Sequence, residues 1–392
     1  MTDLPAPSEA LVLVLARVQP LAAEDVPVAR AAGRVLAEAA LAVSDLPPFA
    51  SSAMDGYAVR AADTPGTLAV VGHSAAGAPE HRALGAGEAI VISTGAVVPS
   101  GADAVVPVEL TSGDVDVERV APGENVRPRG GDARRGDVVA AAGTVLRPAQ
   151  LGALAAAGVA TVRCARRPRA TVLPTGSELR APGEQLGPGE IYESNSVLIA
   201  AQLESAGAEV TVLAPVGDDA GATRAALESG LAADVLVTSG GVSVGPHDLV
   251  RAALAEAGAE EVFWRVAVKP GKPIAFAVRG ATLVFGLPGN PVSSLVGFEL
   301  FVRPALLALQ GASDPGPAFL PGRLAAPLRR NEHRDELVRA RTHVTDDGIV
   351  LEPLTGQESH MIVRSAAASA LVLVPRGSGE LERDAHVSYV RI

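Results

Sequence analysis

Between Arg169 and Gln310 the chain alternates short apolar runs with amphipathic stretches. Apolar runs at 170–173, 209–213, 235–238, 262–268 and 282–285 predict strands, and the segments 196–206, 219–231, 248–257 and 292–309 carry apolar residues at helical spacing. Such alternation predicts a doubly wound α/β unit, with a mostly parallel sheet and helices on both faces. The flanks follow other patterns. From Tyr57 to about Arg135, Val-rich runs at 68–71, 89–93, 104–109 and 115–120 alternate with Gly, Pro and Asp turns, the mark of a small all-β module. After the Pro- and Gly-rich 313–321, apolar alternation at 319–328, 336–344, 349–353, 371–375 and 387–392 predicts a C-terminal β barrel or sandwich.

The first 43 residues predict a helix over 8–18 capped by Ser8, a short helix over 24–31 and a strand over 35–43. Residues 45–58 read as a loop broken by prolines and Gly56. A helix over 149–157 and a strand over 160–163 follow the β module, so the module reads as an insertion. The expected organisation is an elongated, discontinuous region of 1–43 and 136–168, an inserted β module of 44–135, the α/β domain of 169–312 and a C-terminal β domain of 313–392.

At 392 residues the chain has length for several cores. Although 48% of residues are hydrophobic, charges and prolines keep every apolar run short of the ~18 residues a membrane span needs. The N-terminus lacks the basic-then-apolar layout of a signal peptide, which makes a cytoplasmic location the expectation. The single cysteine, Cys164, excludes an intrachain disulfide and reads as a small buried residue. A net charge of −11 and only 3% aromatic residues argue against nucleic-acid partners. An anionic ligand would therefore need a local concentration of cations.

That concentration lies in the α/β unit. The strand at 235–238 runs into Thr238-Ser239-Gly240-Gly241-Val-Ser243-Val-Gly, followed by Asp248 at a helix start, and a second small-residue turn follows at Gly286-Leu-Pro-Gly289-Asn290-Pro-Val-Ser293. Turns of this kind let backbone N–H groups approach an anion, and the helix after Asn290 offers free amides and the positive end of its dipole. Between them, Arg265 and the turn Lys269-Pro-Gly-Lys272-Pro273 bring positive charge, with no acid from 265 to 279. Glu178, Asp218 and Asp248 each follow a predicted strand. Any one of them alone would serve as a helix cap, whereas three at one sheet edge suit Mg²⁺, which takes oxygen ligands. The seven histidines are dispersed without metal-ligand spacing and read as structural or surface residues. Gly241-Val-Ser243-Val-Gly245 has the letters of a nucleophile elbow but no supporting Asp/His pair.

Taken together, these motifs resemble the molybdopterin molybdenumtransferases, the MoeA-type enzymes related to the E domain of gephyrin. The resemblance extends to Ser52-Ala-Met-Asp55-Gly-Tyr-Ala58, Thr94-Gly-Ala96, Asn125-Val-Arg127 with Gly131-Asp132, and Pro188-Gly-Glu-Ile-Tyr192-Glu-Ser-Asn195, in the family's order over nearly the whole chain. It implies Mg²⁺-dependent insertion of molybdenum from molybdate into adenylylated molybdopterin, with release of AMP. It also implies a homodimer in which Asp55, Thr94, Arg127 and Asp132 of one subunit face the pocket of the other. Ser293, Arg339 and Ser359 would lie near molybdate. Substrate would arrive from the molybdopterin adenylyltransferase and product would pass to molybdoenzymes or their chaperones. Asp55, Asp248, Lys269 and Lys272 are the implied catalytic set. Three departures from the family pattern bear on local contacts: Pro174 where a serine is usual, Gly131 in place of a frequent acid, and Leu337-Val338 where an aromatic often precedes Arg339. A non-catalytic scaffold of the same fold, or a carrier that binds molybdopterin or molybdate without turnover, is the alternative.

Overall fold

The computed structural model describes residues 4–111, 115–241 and 249–392. The central six-stranded sheet has the spatial order Glu209–Val212, Arg169–Pro174, Val235–Ser239, Thr282–Leu287, Ala275–Arg279, Glu260–Trp264. The first four strands are parallel and the last two are antiparallel to their neighbours. Both faces are covered. Val172, Val237 and Phe285 pack with Ile199, Leu203 and the 291–309 helix, whereas Leu173, Leu236 and Val284 pack with Leu227, Leu231, Val250 and Leu254. Burial on both faces is why these strands read as unbroken apolar runs rather than alternating ones.

The last helix runs as α (Pro291–Gly297), one π segment (Phe298–Val302) and α again (Arg303–Leu309). Pro304 has no N–H to return to the carbonyl four residues back, which accounts for the widened turn before it. This helix is long and apolar enough to cross a membrane, but 83% of its apolar window is buried within the fold.

Two expectations about the sheet are corrected. Ala275–Arg279 is a strand that the hydrophobic pattern did not single out, and the run 262–268 is divided. Its first part belongs to Glu260–Trp264. Val268–Lys269 turns away to pair in parallel with Asp335–Glu336 of the C-terminal domain. Arg265, at φ 76°, makes the bend between them.

Near the N-terminus the first helix spans Pro7–Leu15. The expected helix over 24–31 is instead the strand Ala23–Pro27 and a short 3₁₀ turn, Val28–Arg30. The strand pairs antiparallel with Thr161–Ala165, setting Asp25 opposite Arg163. Pairing across more than 130 residues overrides the local helical preference, and Pro27 ends the strand without needing a donor. The expected strand over 35–43 is reduced to isolated bridges at Val35 and Leu36 and a short strand, Ala40–Leu41. Cys164 is fully buried here, and burial pushes its thiol pKa up.

The β module centres on four strands in the order Ala69–Ser74, Glu88–Ile92, Gly56–Val59, Ala104–Pro107. Gly56–Val59 was expected to be loop. It lies between two partners, and only glycine fits at 56, because a Cβ there would lie 2.0 Å from the Val106 carbonyl oxygen. In the C-terminal domain, Asp335–Thr345, Gly348–Pro353, Leu320–Leu324, His386–Arg391 and Ala370–Val374 pair in turn, and the last pairs back to the first. Closure into a barrel leaves no open edge among these five strands.

Candidate functional site

The carboxyl ends of the parallel strands converge on one cavity of about 530 Å³, lined by Thr175, Glu178, Asn195, Ser239, Asn290 and His360 among others. Backbone bonds stitch the turns that form its floor. Thr175 N–H donates to the Ser239 carbonyl at 2.9 Å, Gly176 N–H to Val216 at 2.9 Å, and Gly240 N–H to Leu287 at 3.0 Å. Gly240 has φ +90°, and a Cβ there would lie 2.7 Å from the Thr175 carbonyl oxygen, so glycine is required by both angle and space. Asn195 locks the assembly from the side: its buried Nδ2 donates to Ser239 Oγ and to the Gly289 carbonyl, each at 2.7 Å.

Of the residues expected at this site, Glu178, Ser239, Gly240, Gly289 and Asn290 are brought together. Gly241, at φ +64°, continues the same turn. Asp218 stands beside them, with Ser177 Oγ donating to its carboxylate at 3.3 Å. Neither Glu178 nor Asp218 has an ion-pair partner among the described residues. Two unneutralised carboxylates on stitched turns fit a hard cation that takes oxygen ligands. Among the described residues no group of three metal-ligating side chains forms. The third expected ligand, Asp248, lies outside the described residues, as do Ser243 and His247.

The positive side chains are arranged differently from expectation. Residues 265–274 fold back on themselves: Arg265 N–H donates to Ile274 and Val266 N–H to Lys272. This hairpin, carrying Lys269, Lys272 and Pro273, packs near the Ser293 carbonyl through Gly271. An acid does reach it in space. Glu336 of the barrel pairs with Lys269 at 3.0 Å. Arg265 turns its guanidinium onto the Trp264 ring, 3.8 Å from the centroid, and does not line the cavity.

Arg339 is likewise not free to meet an anion. It is 1% exposed, and burial lowers the pKa of its guanidinium. Its donors go to the carbonyls of Gly356 and Met361, each at 2.6 Å, and to Ser365 Oγ at 2.9 Å. It clamps the loop bearing Ser359 instead. The Ser359 carbonyl accepts the Val292 N–H at 3.1 Å, and the Asn290 carbonyl accepts that of Ser293 at 3.0 Å. The helix end expected to offer free amides has thus committed these two, and what remains is its dipole.

Asp55, Thr94, Arg127 and Asp132 are all exposed on the β module, and none lines this cavity. Asp55 accepts the Thr94 N–H at 2.8 Å. Thr175, Asn195 and His360 were not singled out as site residues. For Asn195 the available signal was an amide side chain at the start of the helix after the first strand, on the side of the sheet where ligands collect.

Comparison with known proteins agrees with this architecture. Residues 6–158 match the family described as the MoeA N-terminal region (domain I and II), residues 171–308 the probable molybdopterin binding domain, and residues 321–391 the MoeA C-terminal region (domain IV). The chain is 39% identical over 373 residues to molybdopterin molybdenumtransferase 2 of Mycobacterium tuberculosis, covering 89% of this chain and 90% of the relative. It is 35% identical over 361 residues to the molybdopterin molybdenumtransferase of Haemophilus influenzae, covering 90% and 89%. A crystal structure of the molybdopterin biosynthesis MoeA protein from Pyrococcus horikoshii OT3 superposes with a TM-score of 0.85 at 29% identity, covering 100% of both chains. With this fold, this cavity and likeness along nearly its whole length, the chain belongs to the molybdopterin molybdenumtransferases, transferases of molybdenum cofactor biosynthesis.

Proposed function

We propose that this enzyme takes adenylylated molybdopterin and molybdate, cleaves the phosphoanhydride with release of AMP, and leaves molybdenum on the pterin dithiolene. The observation that carries the reading is the pair of unneutralised carboxylates on stitched turns: Glu178, which lines the cavity, and Asp218, which accepts from Ser177 Oγ on the neighbouring turn. With Asp248 they would hold Mg²⁺, which when bound neutralises charge on the anhydride. Lys272, exposed and without an ion pair among the described residues, and Lys269, shared with Glu336, supply positive charge for the molybdate dianion. Asn195 and Thr175 hold the turns in place, so that positioning rather than covalent catalysis carries the rate.

We further infer a cytoplasmic homodimer in which Asp55, Thr94, Arg127 and Asp132 reach the partner's cavity. Their exposure, and their absence from this chain's own described cavity lining, support that arrangement. Substrate would come from the molybdopterin adenylyltransferase, and product would go to molybdoenzymes or their chaperones. The test is AMP release from adenylylated molybdopterin, followed with Mg²⁺ and molybdate each present or withheld. Release should need both, and Asp218→Asn or Asp248→Asn should reduce it at least about a hundredfold while pterin binding persists. A folded wild-type enzyme that binds the substrate yet releases no AMP would leave a carrier as the better reading.

A further inference from the structure

The wall of the cavity contributed by the C-terminal domain carries His360, which no motif marked. The described lining includes two carboxylates, Glu178 and Glu193, but neither lysine nor arginine. His360 is the one described lining side chain able to carry positive charge near neutral pH. Its ring is exposed and has no hydrogen-bond or ion-pair partner among the described residues. The backbone that bears it is held from both sides. Arg339 binds the carbonyls of Gly356 and Met361, Gln357 donates to the Arg339 carbonyl at 2.9 Å, and Ser359 caps Val292. The first-turn amides of Val292 and Ser293 are already committed, so a donor to a bound anion at this end must come from elsewhere.

We propose that His360 contacts the substrate directly, its imidazole donating to an anionic phosphate oxygen at the helix end of the cavity. This rests on the reading that the cavity takes the phosphate-bearing part of adenylylated molybdopterin. These bonds tie the loop down before the ligand arrives, which lowers the ordering cost of the contact. The charged or titratable groups that line the cavity with the ring are Glu178, Tyr192 and Glu193; Glu358 and Arg364 lie on its own segment, which the buried Arg339 holds. Glu193 already accepts the Ser196 N–H at 2.9 Å and the Ser196 hydroxyl, which leaves Glu178 as the acid with no partner of its own.

The experiment is steady-state turnover of adenylylated molybdopterin by the full-length enzyme. His360→Ala should raise the KM for this substrate about tenfold, with kcat within about twofold. His360→Lys should restore the low KM. An alanine effect not restored by lysine would overturn the proposal, as would no effect at all. Asn195→Ala separates this from failure of the site itself. If it raises KM while His360→Ala does not, the cavity holds substrate and only the histidine contact is wrong. If neither variant alters KM, the substrate is bound elsewhere and both readings fall.

Discussion

At the carboxyl edge of the α/β sheet, Thr175, Asn195 and Ser239 spend their side-chain hydrogen bonds on neighbouring turns around the cavity. On the β module, Asp55, Thr94, Arg127 and Asp132 lie exposed, and Thr94 N–H donates to the Asp55 carboxylate. The first arrangement costs conformational freedom when the chain folds, and in return presents a fixed surface to a ligand. The second stabilises little in the isolated chain. The same polar residue types thus serve two purposes, and substitutions separate them: at the sheet edge stability and turnover should fall together, whereas on the β module turnover alone should fall.

The largest effect is expected at Gly240. Gly240→Ala forces a Cβ toward the Thr175 carbonyl at a positive φ, and should lower stability by about 2–4 kcal/mol and turnover by at least about a hundredfold. Chemical denaturation and AMP release measured on the same preparation check both. A stable, active variant would show that the edge is looser than its hydrogen bonds indicate. Next is Asp55→Ala, which should reduce turnover at least about tenfold while shifting stability by less than about 0.5 kcal/mol. Mixed with Asp218→Asn subunits, it should regain part of the activity, because such a dimer holds one intact composite site. No recovery in mixed dimers would place Asp55 outside any shared site.

The smallest effect lies at the amino edge of the same sheet, where Asp234 binds the Arg166 guanidinium at 2.6 and 2.8 Å. Burial opposes ionisation of this carboxyl, but the Arg166 bonds and the Arg169 N–H outweigh it and lower its pKa. A lowered folded-state pKa contributes stability above the unfolded value of about 3.9, and that stability disappears as pH falls through the folded value. Wild type should therefore exceed Asp234→Asn in denaturation midpoint at about pH 5 and above, with the gap closing below about pH 4, and turnover at neutral pH unchanged. If Asp234→Asn altered turnover, the amino edge would no longer serve as the structural reference for the carboxyl edge.

The alternation of strands and helices in the α/β region was legible because each element buries a face of its own, and burial on both faces writes an apolar run into the residues at 170–173, 235–238 and 282–285. The small-residue turn at 240 was legible for a similar reason: Gly240 meets a local demand of both backbone angle and close approach. Other elements were not. Ala23–Pro27 reads as helix until Thr161–Ala165 arrives to pair with it, and Gly56–Val59 reads as loop until its two neighbours flank it. Ala275–Arg279 likewise depends on the antiparallel strands on either side.

The candidate site divides along the same line. Residue types and their spacing were enough to point to Glu178, Ser239 and Asn290, which the fold brings to one cavity, because strand ends and turns announce where backbone and side chains collect. Sequence alone could not say that Arg339 would be consumed by the carbonyls of its own domain, that Glu336 would meet Lys269, or that His360 would enter a cavity built mostly by another domain. Those outcomes depend on which groups from distant parts of the chain compete for each donor and charge. That competition is decided only when the barrel closes against the α/β sheet.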